Sequence, residues 1–268
     1  MKKILITACA LLTITLLQAQ QKEGKVMYER TTKVQIQLAG ISDQIAQSLP
    51  KSRTDKFELN FANNQSLWKQ AEQENNNDDN SEIGGGAQIR IVASGSEDVV
   101  YCNFDAAKRV ETRDIFDKKF VIEDSIHSLT WKLSDETKTI LNHLCRQAIA
   151  TRYGKRMMMN MDNGKMERKE VNDTTTIVAW FTTDIPVSAG PAEYQGQLPG
   201  LILEMDVNNG RQTFKALGIS PKADIASIKE PSGKKRYTTE EFNKERDKMM
   251  EEMQRNNQGG QRVFRFNN

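Results

Sequence analysis

The sequence predicts a mainly β protein: a curved antiparallel sheet or incomplete barrel with a short N-terminal helix and a C-terminal amphipathic helix. Three observations carry that expectation. Apolar residues recur at alternate positions in several short runs, the period of a half-buried strand. Between those runs lie Asn-Asn and Asn-Gly pairs, which supply the positive φ that a tight hairpin turn needs. Strands and helices do not alternate along the chain, so a doubly wound parallel sheet is not expected.

Composition sets the outer bounds. Met1-Lys2-Lys3, an apolar run over 4–17 and Gln18-Ala19-Gln20 have the layout of a secretory signal, so residues 1–19 are read as a signal peptide cleaved after Ala19. The apolar run is shorter than the ~20 residues of a membrane span, and no later stretch approaches that length. No transmembrane segment is therefore expected once the signal is removed. The 38 basic residues become 36 without Lys2 and Lys3, equal to the 36 acidic ones. A formally neutral chain has no global basic field for nucleic acid or anionic lipid. Of three cysteines, Cys9 leaves with the signal. Cys102 and Cys145 then either form a disulfide, worth on the order of 4 kcal/mol in the chain-entropy model, or remain two buried thiols.

The elements follow in order. Val26, Tyr28, Thr32, Val34, Ile36 and Leu38 fall on even positions and describe a first strand. Ser42 caps a short helix over 43–49, stopped by Pro50. Phe57, Leu59 and Phe61 repeat the strand period, with Leu67-Trp68 on the partner strand across Asn63-Asn64. Residues 70–86 have almost nothing to bury and are expected to form a mobile polar loop. Short strands over 88–93, 99–104, 108–113, 119–123, 131–133, 145–151 and 176–182 extend a meander. The antiparallel domain is placed at 20–236, the C-terminal helix at 237–256 and a flexible tail at 257–268. Thr238 and Glu241 form a capping box for that helix, and Phe242, Met249, Met250 and Met253 line one side of it.

The stretch 194–205 organises the rest. Pro199 pushes Leu198 towards extended backbone, and Gly196 and Gly200 are expected to take the positive φ of a sharp reversal. From Leu201 and Ile202 an apolar strand follows, turning at Asn209-Gly210. That turn sets Val207 opposite Gln212, Met205 opposite Phe214, Glu204 opposite Lys215 and Leu203 opposite Ala216.

Leu198-Pro199-Gly200-Leu201-Ile202 after Gly196, preceded by Trp180-Phe181-Thr182-Thr183-Asp184-Ile185-Pro186-Val187-Ser188-Ala189-Gly190-Pro191, resembles the GLPGLI family of exported Gram-negative bacterial proteins. Phe120-Val121-Ile122-Glu123-Asp124, Trp131-Lys132-Leu133 and Asp135-Glu136-Thr137-Lys138 extend the likeness over most of the mature chain. Gln197 departs from it, standing between Gly196 and Leu198, where the family joins glycine directly to leucine. The resemblance implies export to the periplasm or cell envelope and a β-rich fold. It implies no biochemical activity, because the family has none assigned.

Residue chemistry adds little catalysis. His127 and His143 are the two histidines, and no nucleophile elbow accompanies them. The chain is read as non-enzymatic and without a cofactor. The favoured function is an exported binding module whose concave apolar face holds a lipid-like ligand or a protein partner, in the manner of a LolA-like incomplete barrel. Met157, Met159, Met161 and Met166 share a face of a hairpin turning at Asn163-Gly164, which offers soft thioethers for Cu(I) as an alternative. Ordinary apolar packing by the same methionines is the plainer reading. An accessory subunit of an outer-membrane complex, recruited through the Phe242 helix, is a further alternative.

Overall fold

The computed structural model describes residues 21–33, 50–72, 82–83, 87–88, 98–115, 118–162 and 165–257, with side chains at 82–83, 87–88, 156–170 and 253–257 outside that description. The signal segment, the strand positions from Val34 to Leu38, the helix expected over 43–49, most of the 70–86 loop and the tail beyond Asn257 lie outside the described residues.

Alternating inward residues give a run of strands: β1 (Gly24–Lys33), β2 (Ser52–Ala62), β3 (Gln65–Gln70), β4 (Glu82–Ile83), β5 (Ala87–Gln88), β6 (Val99–Asn103), β7 (Lys108–Ile115) and β8 (Lys118–Ser125). There follow β9 (Lys132–Ile140), β10 (His143–Asp162), β11 (Lys165–Thr182), β12 (Leu201–Val207), β13 (Gln212–Ser220), β14 (Arg236–Tyr237) and the helix α1 (Thr239–Asn257). Twelve strands form one open sheet, ordered β14-β8-β7-β6-β3-β2-β1-β13-β12-β11-β10-β9, while β4 and β5 pair separately. The sheet is not closed into a barrel.

The turns act as their residues require. Asn63 and Asn64 take φ of 52° and 55° between the Ala62↔Gln65 pair of β2 and β3. Asn209 and Gly210 take 53° and 76°, and the register of β12 on β13 is Glu204↔Lys215, Met205↔Phe214 and Val207↔Gln212, as the turn predicts. Leu203 and Ala216 are not among those partners. A third turn, at Leu141 and Asn142 with φ of 49° and 64°, joins β9 to β10. It lacks a glycine and has a leucine where asparagine or glycine is usual, so it carried no sequence signal.

One side of the sheet holds the main core: Val26, Tyr28, Phe57, Leu59, Phe61, Trp68, Cys102, Cys145, Phe181, Leu203 and Met205 all belong to one buried cluster. Trp68 is its hub, with Phe57 stacked at 4.9 Å and Tyr28 and Phe214 at 5.2 and 6.0 Å between ring centroids. At the β8 end, Phe120 and Ile122 pack under Phe242, with Met249 alongside. The helix thus turns its apolar stripe onto its own sheet, and Phe242 is only 3% exposed. A buried Phe242 is unavailable as the recruiting surface of the accessory-subunit alternative. The capping box forms: Glu241 N donates to Thr238 Oγ1 at 3.2 Å, and Thr238 N donates to Glu241 Oε2 at 2.9 Å.

The all-antiparallel expectation needs one correction. Tyr237, assigned to the helix from sequence, lies in β14, which pairs in parallel with β8 through Arg236↔Val121 and Tyr237↔Ile122. Two residues are too few to show a period. They are held by Lys108 and Arg236, which bridge Glu123 and Glu230 across the connection.

Candidate functional site

Two features depart from the compact sheet. The first is the connection 183–200, which lies on the main core as a plug. Ile185, Val187, Ala189, Tyr194 and Leu198 all join the buried cluster. Its backbone is satisfied one group at a time: Leu201 N donates to Ile185 O at 3.1 Å, Ile202 N to Ala189 O at 3.0 Å and Gly196 N to Ser188 O at 2.6 Å. From the opposite side, Tyr28 Oη donates to Ile202 O at 2.5 Å. Ser66 Oγ donates to Gln195 Oε1, also at 2.5 Å, so the buried Gln195 amide is tied to β3.

The turn residues have separate tasks. Gly196 takes φ of +76° as expected. Gly200 does not lie in the left-handed region; a Cβ there would stand 2.1 Å from the Thr182 carbonyl oxygen. Its need for glycine is close backbone approach, which sequence cannot separate from a turn. Gln197, the departure from the family pattern, is a clamp. Its Oε1 accepts from Leu129 N and from Trp131 Nε1, both at 3.1 Å, while its Nε2 donates to Glu193 O.

The second feature is a ribbon. β9 pairs with β10 only as far as Ile149, and β12 pairs with β11 only from Ile177. Beyond those points the ladder from Thr151↔Thr176 to Asp162↔Lys165 is two-stranded, roughly 40 Å at the usual rise per residue. Its described β10 side chains near the base are exposed, Tyr153 at 80%, while Thr175 across from them on β11 is buried. The expected tip register, Met161↔Met166 beside Asp162↔Lys165, is present. The side chains of Met157, Met159, Met161 and Met166 lie outside the described residues, so the thioether face has no described geometry.

The cysteines take the second of their two expected states. Cys102 and Cys145 are free and buried, so no disulfide joins them. Burial pushes their thiols up to about 12 and about 11, which keeps both protonated and unreactive at neutral pH. Cys145 Sγ contacts the His143 carbonyl oxygen at 3.6 Å, whereas the His143 ring faces Asp184 at 3.2 Å. A cysteine–histidine dyad is therefore not assembled. Among the described residues, no group of three or more His, Cys, Asp or Glu side chains is placed to hold a metal. No helix of the described residues is long and apolar enough to cross a membrane.

A cleft of about 90 Å³ opens where the plug's Ala192 and Glu193 roof the charged ends of β1, β7 and the residue before β6. Arg30 and Arg113 line it with Asp98, Glu111, Trp68 and Phe214. The Arg30 guanidinium lies 4.5 Å over the Phe57 ring and bonds Asp55 at 3.1 Å. Arg113 bonds Glu111 at 3.3 Å. Burial lifts the Asp98 carboxyl to about 6, against the opposing pull of Arg113. The one sequence trace of this cleft is Arg30 itself, a charge placed in phase with inward-facing Val26 and Tyr28.

Comparison with known proteins fits this picture without naming a reaction. Residues 131–204 match a family model described as a protein of unknown function (Porph_ging). That stretch spans β9, the ribbon, the plug and the start of β12. It agrees with an unassigned family, the implication of the sequence resemblance, under a different name. No curated protein matches the chain. A solved structure of PNGF-II is similar at 16% identity and a TM-score of 0.46, over 85% of this chain and 32% of that one. The chain thus spans about a third of that protein's length, and so distant a likeness assigns neither fold nor activity.

Proposed function

We propose that this chain is an exported, non-enzymatic binding module of the cell envelope that holds a protein partner through the β10–β11 ribbon. The ribbon carries the reading. An isolated two-stranded hairpin is at best marginally stable in water, and bare strand edges are normally paired, covered or blunted. A ribbon whose outer edges pair with no other strand among the described residues is suited to accept a strand or groove from another protein. The lipid-like alternative is less well supported, because the apolar side of the sheet is already filled by the chain's own plug.

A photo-crosslinking residue at Tyr153, introduced in the cell of origin, is expected to trap a discrete protein adduct. The same residue at Leu217, 48% exposed on β13, serves as the control. A chain in which Thr151 is joined to Thr176 through Asn-Gly should stay folded and lose the partner. Equal trapping from Leu217, or retention of the partner without the ribbon, would refute the proposal. A stoichiometric lipid adduct in native mass spectrometry of envelope extract would replace it with the lipid reading.

A further inference from the structure

The two edges of the ribbon differ near the sheet. On the β11 side, Asn208 N donates to Thr176 O at 2.8 Å and Thr175 is buried. On the β10 side, β9 stops pairing at Ile149, and the chain before Lys132 is tied to the plug instead, where Gln197 Oε1 accepts from Leu129 N and Trp131 Nε1. From Thr151 to Lys155 every residue is then exposed. Among the described residues, a strand joining the sheet here meets least obstruction along β10, in line with β9.

The residues of that edge restrict what joins it. Period two places Arg152, Gly154 and Arg156 on the face of the buried Ala148 and Ala150, and Thr151, Tyr153 and Lys155 on the other. Arg152, Lys155 and Arg156 are cations, residues 151–156 hold no acid, and Asp173, opposite Gly154, is the one acid across that part of the ladder. Arg152 reaches Glu193 at 3.6 Å with both side chains 40% exposed or more, a surface pair that another carboxylate can replace. Gly154 has no positive φ, and a Cβ there would meet nothing within 4 Å. Neither a turn nor crowding by the described chain requires this glycine, which weakens a strand and marks where a second backbone or ligand comes close. Taking the ribbon as the partner site, we infer that the β10 edge accepts an extended acidic segment of another protein as an added strand. Carboxylates of that segment flank Gly154 beside Arg152 and Arg156, and apolar side chains between them lie beside Tyr153. Backbone hydrogen bonds hold the segment and cross-strand charge selects it.

The test is a backbone-amide NMR titration of the full chain with a short blocked peptide alternating glutamate and valine, against a counterpart carrying lysine in place of glutamate. The glutamate peptide is expected to shift the amides of residues 151–155 saturably and slow their exchange, binding about tenfold more tightly than the lysine peptide and more weakly as salt is raised. Arg152→Glu combined with Arg156→Glu should reverse the preference. Gly154→Val fills open space, so it should leave the melting temperature unchanged or higher while weakening the glutamate peptide several-fold. Equal binding of the two peptides, or no shift with either, overturns the inference, and these wild-type titrations decide it even where a variant fails to fold. A protein adduct trapped at Tyr153 alongside equal peptide binding would remove the acidic strand and leave the ribbon as the partner site, whereas no adduct removes both.

Discussion

Between Thr182 and Leu201 the chain has almost no regular ladder and is nevertheless buried, whereas from Thr151 to Lys155 it runs in an uninterrupted ladder with every side chain exposed. Regular hydrogen bonding and burial are thus separate properties in this molecule. The plug gains its place from side chains: Ile185, Val187 and Leu198 each contribute about 1.5–3 kcal/mol of apolar burial, and its polar backbone is then satisfied singly. The ribbon satisfies its backbone first. Exposed residues such as Thr151, Arg152 and Lys155 give it nothing to bury.

That contrast is broken most directly at Gly200. Gly200→Ala pushes a methyl into the Thr182 carbonyl and is expected to cost about 3 kcal/mol or more, a fall in Tm of roughly 6–12 °C. A thermal melt showing less than 2 °C of change would mean the plug is not held by that approach. Tyr28→Phe comes next, because it leaves Ile202 O buried without its donor, for a loss of ~1–3 kcal/mol in urea unfolding. An unchanged midpoint would mean that another donor takes over.

Gln197→Ala probes the clamp on the plug's outer side. Leu129 N and Trp131 Nε1 sit near solvent, and water replaces much of the lost bond, so ~1 kcal/mol is expected together with a red-shifted tryptophan emission. The smallest effect belongs to the ribbon. Joining Thr151 to Thr176 through Asn-Gly should change the stability of the rest by no more than about 0.5 kcal/mol, the usual span for surface changes. A drop comparable to that of Tyr28→Phe would show that the ribbon supports the core, and the contrast would fail.

Much of the sheet was legible because its strands bury one face. Val26 and Tyr28, Phe57 through Phe61, and Leu203 with Met205 display period two, and the Asn63-Asn64 and Asn209-Gly210 turns set register through positive φ. The ribbon was legible only at its base and tip, and its strands were expected to be short. Without a core face, a strand has no reason to alternate. The cleft was nearly invisible for a different reason, since Arg30, Asp98, Glu111, Arg113 and Glu193 come from separate elements and meet only after the sheet forms and the plug closes over it.

By itself the sequence determined a mainly β chain, three of its hairpin registers, the capped C-terminal helix and the left-handed turn at Gly196, all effects of neighbours along the backbone. Tertiary structure alone decided that Gly200 is a point of contact with Thr182, that Gln197 clamps Trp131, that β14 runs parallel to β8, and that the plug fills the apolar side. Those outcomes depend on atoms far apart in the chain being brought within a few ångströms, and local dihedral preference and periodicity carry no record of that approach.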